Sequence, residues 1–582
     1  MPTSLEEPVT DAAQGALPLP ASLPGALPLL DAAQAGAGDE AAVAGGATWH
    51  GLMERAGGHL ARGVIAAAGG RGSGLEVLLL VGKGNNGGDG WVAARRLTRE
   101  YGARCTVVAV EGIDTPASDE AAANRAAWLA AGGRTVAGTD HLDVLLSRTE
   151  VAVDCLLGTG ARGAPRGAAG EAAAALVRAH AHGTTVVACD IPSGVAADDG
   201  SVAAGAVMAD ITVTFGALKR GLLLHPGAAH AGRVLLGRLG EAYDRFAEAT
   251  SRWSALTPAG AAPPPLLPEA EKRARGVVLA VAGAAGTAGA AALTGAGALR
   301  AGAGLVTVAT PDPVRGEVAA RLDPGVMVRG LPSDEHGGVH ADAVHALPAL
   351  EAMDVVVAGP GLGHGSGAGE VVASLRHRAR RLVLDADALN VHRDDPRTLA
   401  DHDGELVLTP HERELARIGG GEDGPAAWAC RVERVPELAH ELQATIVAKG
   451  PGTLVAAPDG RVWVCPIAGP SLGSGGTGDV LAGVVAAAIA HADDVPLAVA
   501  QAVWWHAAAG VLAGTSRADR ATATDLLAAL PTVLAELAAR PPSATSPAPS
   551  ATSSPFATSS SARLAATRRA ARWGALPWEV RP

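Results

Sequence analysis

Four carboxylates stand next to loops that are almost bare of side chains. Asp89 closes the run Gly82-Lys83-Gly84-Asn85-Asn86-Gly87-Gly88-Asp89-Gly90, and Asp154 precedes Gly158-Thr159-Gly160. Asp190 precedes Ile191-Pro192-Ser193-Gly194, and Asp479 follows Gly473-Ser474-Gly475-Gly476-Thr477-Gly478. A carboxyl group held beside a ligand can take or give a proton. Glycine lets the backbone come close, and the free N–H groups of a helix start can then hold an anion. Five glycines among the nine residues Gly82 to Gly90 suit that second task, while Asn85, Asn86 and Asp89 add oxygens that a plain turn does not require. Any one of these aspartates is as well explained by a helix cap or a loop brace. Asp89, Asp154 and Asp190 converging on one sheet edge point instead to a binding site. Asp479 alone could be a carboxylate favoured by the helix dipole; with Gly-Gly-Thr-Gly before it, a base beside bound phosphates is the stronger reading. Gly-x-x-x-x-Gly-Lys-Ser/Thr is absent, so this is not a Walker-type loop.

The elements that must carry these groups follow from the apolar runs. Val77–Val81 shows no alternation and reads as a parallel strand covered on both faces, and Trp91–Leu97 resumes with helical spacing. Asp31–Val43 and Thr48–Ala68 read as two helices ahead of that strand. Further strands are predicted at Cys105–Val110, Val151–Leu157, Thr184–Asp190 and Ile211–Phe215, separated mostly by helices. A second series follows at Val277–Ala282, Leu305–Ala309, Val355–Ala358, Arg381–Asp385, Glu405–Thr409 and Thr445–Lys449. The fold class is therefore α/β: a Rossmann-like, doubly wound domain and then a second α/β domain, each with its own sheet and core. In such sheets ligands sit outside the carboxyl ends of the strands, where Asp89, Asp154 and Asp190 lie.

A chain of 582 residues exceeds what one core can organise. Pro, Ala and acidic residues up to about residue 26 read as a disordered leader, and five prolines within 257–268 read as a linker. A Ser/Thr/Pro/Ala tract makes 536–582 a disordered tail, with Arg563 to Pro582 able to form a short basic amphipathic helix. The formal net charge of −12 argues against nucleic acid as the main partner. The five cysteines are scattered and unpaired in pattern, and no signal-like start or long apolar run is evident, so a cytoplasmic protein is expected, with no membrane partner. A homo-oligomer is also expected.

In the first half, Asn85-Asn86-Gly87-Gly88-Asp89-Gly90, Asp154 with its Gly-Thr-Gly, Asp190-Ile191-Pro192-Ser193-Gly194 and Thr214-Phe215-Gly216-Ala217-Leu218-Lys219 come in that order. Together they resemble the NAD(P)H-hydrate epimerase domain of the YjeF N-terminal type, here 27–256. The resemblance implies that the hydrated nucleotide contacts Asn85, Asn86, Gly87, Gly88 and Asp89, then Gly158, Thr159, Gly160, Ala161, Arg162, Gly163 and Ala164, and then Asp190. It also implies a potassium ion on Asn86, Asp154 and Ser193, whose hard oxygens suit an alkali cation. Asp190 would be the acid and base, with Lys219 balancing its charge.

In the second half, Gly359-Pro360-Gly361, Thr409-Pro410-His411, Lys449-Gly450-Pro451-Gly452-Thr453 and Gly476-Thr477-Gly478-Asp479-Val480-Leu481 resemble the ribokinase-like, ADP-dependent NAD(P)H-hydrate dehydratase domain, here 269–535. By that resemblance Lys449, Gly450, Pro451, Gly452, Thr453 and Gly478 hold ADP with Mg2+, while Ala290, Gly361, His411 and Asp479 line the hydrate site and Asp479 is the base. The chain departs from the family pattern at Ala284 and Ala288, where a Ser and a Thr are usual, and at Glu412-Arg413 after the histidine. The implied function is nicotinamide nucleotide repair: an isomerase that interconverts R- and S-NAD(P)H-hydrate, and a lyase that dehydrates the S form. Two alternatives stay open, a ribokinase-like small-molecule kinase fused to a non-catalytic nucleotide-binding domain, and a nucleotide-sensing binding protein.

Overall fold

A computed structural model describes residues 25–114, 116–266, 268–419, 430–539 and 578–581. The expected leader up to residue 24, and the tail between 540 and 577, lie outside the described residues. Within the expected disordered tail, Trp578–Arg581 is instead a strand, paired with Arg233–Gly237.

Among the described residues the first sheet has eight strands, all parallel. In spatial order they are Trp578–Arg581, Arg233–Gly237, Ile211–Phe215, Thr185–Cys189, Val151–Cys155, Glu76–Val81, Arg104–Ala109 and Arg134–Ala137. Chain order reverses between Glu76–Val81 and Val151–Cys155, so the crevice for a ligand opens between those two carboxyl ends. Helices Ala32–Ala44 and Trp49–Ala67 begin where the sequence indicates: the Asp31 and Gln34 side chains form a capping box, and Thr48 accepts from Gly51 N–H. Gly63 on the second of these helices lets it lie directly on the sheet, since a Cβ there would stand 2.2 Å from Val213 Cγ2.

The second sheet has twelve strands and corrects the expectation of two self-contained cores. Its parallel part, 327–331, 305–311, 277–281, 355–358, 381–384, 405–408 and 445–448, is the predicted series with one added edge. It then turns antiparallel through Leu454–Ala456 and Val462–Val464 and continues into the first half of the chain: Trp253–Leu256, Ala26–Leu30 and Leu218–Lys219. The physical reason is edge pairing. Val462–Val464 would leave a row of N–H and C=O groups open, and Trp253–Leu256 covers it.

One apolar cluster accordingly runs from Leu27, Leu218 and Leu223 to Leu382, Leu408 and Ile446. The proline-rich segment is likewise packed at its start, where Ala261 is buried and its carbonyl accepts from Trp505 Nε1 at 2.6 Å. Helix Val495–Thr515, which carries that tryptophan, is long and apolar enough to span a bilayer but is mostly buried in a second apolar cluster that also takes in Ala261 and Val480. Behind the second site, helices Ala288–Arg300 and Thr477–Ile489 meet through glycines. A Cβ on Gly483 would stand 2.1 Å from Thr294 O, and one on Gly297 2.5 Å from Val480 O. This seam fixes where the start of Thr477–Ile489 points.

Candidate active sites

The first site straddles the reversal in strand order. Helix Asn85–Tyr101 starts there with Gly84 as N-cap and no side-chain cap, so its first N–H groups face the crevice. The turn is too tight for side chains: a Cβ on Gly87 would lie 2.0 Å from Gly82 O, and one on Gly82 2.2 Å from Leu156 O. Asn86 Nδ2 donates across the crevice to Leu157 O at 2.9 Å. Asp154 is fully buried; its Oδ2 accepts from Ser193 N–H at 2.8 Å and its Oδ1 from Ser193 Oγ at 2.7 Å. Ser193 Oγ in turn accepts from Leu157 N–H at 3.0 Å. The structure thus brings Asn86, Asp154 and Ser193 together. Burial pushes the Asp154 carboxyl up to about 6 despite the two Ser193 donors and a third, Leu156 N–H, 3.2 Å from Oδ1, and no described cation offsets it.

Asp190 ends Thr185–Cys189 with φ 64, a left-handed conformation that costs a non-glycine residue energy and that clusters at working sites. Its Oδ1 accepts from Lys219 Nζ at 2.6 Å and from Thr214 Oγ1 at 3.0 Å. Lys219 is buried and also donates to Thr214 Oγ1 at 3.0 Å and to Phe215 O at 2.8 Å, which uses all three of its protons. Two further carboxylates feel this pair. Burial, then Asp190 and Asp39, hold Asp89 well above the usual carboxylate range. Burial pushes Asp39 up to about 6, with Lys219 opposing and Asp190 adding. Asp39 lies in an alanine- and glycine-rich helix with no motif around it, so sequence reasoning missed it. The Gly158 to Ala164 loop, the Pro192 to Ala196 turn and Ser201 to Ala203 line an open pocket of about 120 Å³. Gly158 faces Asn86, but Arg162 lies exposed, 3.8 Å from Asp198, away from the aspartate network.

At the second site Lys449 leaves strand Thr445–Ala448 and sets its Nζ 2.6 Å from Asp385 Oδ1 and 4.0 Å from Glu414. Burial pulls the ammonium's pKa down, but Asp385 and Glu414 outweigh it and the net direction is up. Thr409 Oγ1 donates to the same Asp385 oxygen at 2.8 Å. Helix Thr477–Ile489 starts from Gly476, at φ 88, with no side-chain cap. Thr477 Oγ1 turns back to Leu472 O instead, and Thr477 N–H donates to Ser474 O, so the Gly478 and Asp479 N–H groups of the first turn remain open to an anion. Lys449 hangs over this helix start, since a Cβ on Gly478 would be 3.5 Å from its Nζ. Burial, then Asp385, push Asp479 up to about 6, with Lys449 opposing.

His411 caps helix Glu412–Ile418: its Nδ1 accepts from Arg413 N–H and Glu414 N–H at 3.1 and 3.3 Å. The ring proton is therefore on Nε2, 3.4 Å from Glu414 Oε1, and burial with Lys449 lowers the pKa, keeping the imidazole neutral near pH 7. Gly361, at φ 61, packs against Thr287 and Ala290; Thr287 Oγ1 donates to Gly361 O at 2.7 Å. That hydroxyl stands in the loop where Ala284 and Ala288 lack one. Glu414, Asp385 and Thr287 were not singled out from sequence, although glutamate three residues after the helix-capping His411 is a capping-box spacing.

Comparison with known proteins bears on both sites. Residues 49–221 match the YjeF-related protein N-terminus model, and residues 278–532 match the NAD(P)H-hydrate dehydratase model. A bifunctional NAD(P)H-hydrate repair enzyme from Moorella thermoacetica is 36% identical over 498 residues, 84% of this chain and 92% of that protein. One from Escherichia coli K12 is 35% identical over 468 residues, 78% and 84%. The chain belongs to the bifunctional NAD(P)H-hydrate repair family. It is an epimerase and a dehydratase in one polypeptide, and the separate-kinase and sensor readings are not favoured. Among solved structures, an ADP/ATP-dependent NAD(P)H-hydrate dehydratase from Bacillus subtilis, co-crystallised with ATP/Mg2+, is 28% identical, covering 48% of this chain and 97% of that one at a TM-score of 0.42.

Proposed function

We propose that NAD(P)H-hydrate repair runs on Asp190 in the half before residue 257 and on Asp479 in the half after residue 268. The hydrate carries a hydroxyl on the carbon next to the ring nitrogen, whose lone pair can expel it. At the first site Asp190 gives a proton to that hydroxyl, water departs, and water returning to the opposite face hands a proton back. Lys219, 2.6 Å away, balances the carboxylate while the proton is absent. The N–H groups at the start of Asn85–Tyr101 and the Gly158 to Ala164 loop hold the nucleotide. Asn86, Asp154 and Ser193 fit a potassium ion, because Asp154 is a buried carboxylate without a described counter-cation. Potassium there would supply fixed positive charge that steadies the two loops.

At the second site hydroxide must leave for good, which phosphorylation of the hydroxyl by ADP makes possible. Asp479 takes the hydroxyl proton as the phosphoryl group passes from ADP to that oxygen and AMP departs, the open helix start and Lys449 holding the phosphoryl oxygens; the ring nitrogen then expels phosphate, and loss of a proton from the adjacent ring carbon completes the dihydronicotinamide. Among the described residues no cluster of three or more His, Cys, Asp or Glu suits a metal, in keeping with Mg2+ carried chiefly by the nucleotide's phosphates. The carrying observation is Asp479, raised to about 6, beside an uncapped helix N-terminus under an ammonium group. The test supplies mixed hydrate epimers and ADP and follows the return of reduced-nicotinamide absorbance. Asp479→Asn is expected to slow dehydration by roughly a hundredfold or more while ADP still binds. Normal turnover by that variant would overturn the assignment.

A further inference from the structure

The nucleotide loop Lys449 to Thr453 is docked on the first half of the chain. Arg431, the first residue of helix Arg431–Glu441, is buried, and its Nη2 donates to Pro451 O at 3.3 Å and to His225 O at 3.4 Å. The same loop touches the first half a second time: Gly452, at φ 70, packs so closely that a Cβ would lie 2.9 Å from Leu223 O. Leu223 and His225 follow Lys219 on one short segment, so the partner of the first-site aspartate and the buttress of the nucleotide loop are neighbours in the chain.

The consequence lies in one peptide plane. A trans peptide points its C=O and its N–H in opposite directions. Turning Pro451 O toward Arg431 therefore turns Gly452 N–H away from it, out of the interface. Among the described residues no carbonyl accepts that N–H. On the other side of the loop, Thr453 Oγ1 donates to Gly450 O at 2.7 Å and holds the turn closed.

We propose that Arg431 is a positioning residue for ADP: by holding Pro451 O it aims Gly452 N–H at the nucleotide, and it braces the loop on the first half of the chain. This rests on the reading that Lys449 to Thr453 bind the nucleotide. Arg431 touches no reacting atom, so it acts on ADP affinity and not on the chemical step. A methionine would fill much of the space but take this donor from both part-buried carbonyls and leave the peptide free to rotate.

The test uses the full chain. Arg431→Met is expected to raise KM and Kd for ADP roughly tenfold, with kcat at saturating ADP and the epimerase rate unchanged. Arg431→Lys, whose ammonium can still reach one carbonyl, recovers part of the affinity. Gly452→Ala, which pushes the loop off Leu223, moves KM the same way and serves if Arg431→Met does not fold. Hydrogen exchange of the wild-type protein with and without ADP separates the two layers. Protection at 449–453 combined with a wild-type KM in folded Arg431→Met overturns the positioning role alone. No ADP protection at 449–453 overturns the nucleotide-loop reading beneath it.

Discussion

Both sites set a lysine ammonium 2.6 Å from an aspartate oxygen, yet the two lysines are placed for different work. Lys219 is sealed, with a side-chain exposure of 3%, and spends its protons on Asp190, Thr214 and Phe215. Lys449 is 19% exposed, is shared between Asp385 and Glu414, and overhangs an open helix start. The closed network suits a reaction that returns its water and leaves no net charge behind. The open one suits a reaction in which phosphoryl oxygens arrive needing positive charge. A lysine–aspartate pair therefore says little by itself; what the ammonium can still reach decides its use.

The sharpest way to break this comparison is to delete each ammonium. Lys449→Met should slow dehydration by about a hundredfold or more and weaken ADP binding, since an electrostatic clamp on a transferring phosphoryl group is lost. Lys219→Met should instead unpair a largely buried carboxylate, lowering epimerase activity and costing stability of about 3 kcal/mol, read by denaturant titration. Equal effects on binding and stability in both variants would erase the distinction. A smaller effect is expected from Asp154→Ala: epimerase activity falls roughly tenfold or more and loses any potassium dependence. Dehydration of the S epimer alone, which bypasses the first site, continues at the wild-type rate. Loss of both activities together would make Asp154 a structural residue.

The smallest effect concerns Asp479 as a burden on stability. Its folded pKa of about 6 exceeds the ordinary 3.8, so the folded state binds the extra proton between those values. Its contribution therefore favours folding at low pH and is progressively lost as pH rises through that window. Asp479→Asn removes the burden: the variant should be more stable than wild type at pH 7, with the difference shrinking toward pH 4. The same ionisation gives dehydration an acid limb near pH 6, measurable in kcat/KM. A variant less stable than wild type at every pH would contradict this account.

The parallel strands were legible because runs such as Val77–Val81 and Val355–Ala358 are apolar on both faces. The strands that join the halves were not. Ala26–Leu30 contains Pro28, which weakens a strand signal, and Val462–Val464 is too short to show a period. The glycine loops advertised Asn86, Asp154, Asp190 and Asp479, since bare backbone next to a carboxylate is unusual. Asp39, Asp385 and Glu414 did not stand out, because their role lies in charge coupling across elements distant in sequence. The closure of the second sheet by Trp253–Leu256 depends on which edges remain open after the rest has folded, and no local pattern records that.

That closure sets a timetable on the ribosome. Trp253–Leu256 emerges roughly two hundred residues before its neighbour Val462–Val464. At translation rates of about 5–20 residues per second, the early strands wait on the order of ten to forty seconds with one edge unpaired. During that interval Ala26–Leu30 can pair with Leu218–Lys219 on one side and Trp253–Leu256 on the other, but the outer edge of Trp253–Leu256 stays open. The nascent chain therefore carries a sticky edge until the second half is nearly complete, and a holdase that shields it should raise the yield of active enzyme more than one acting after release.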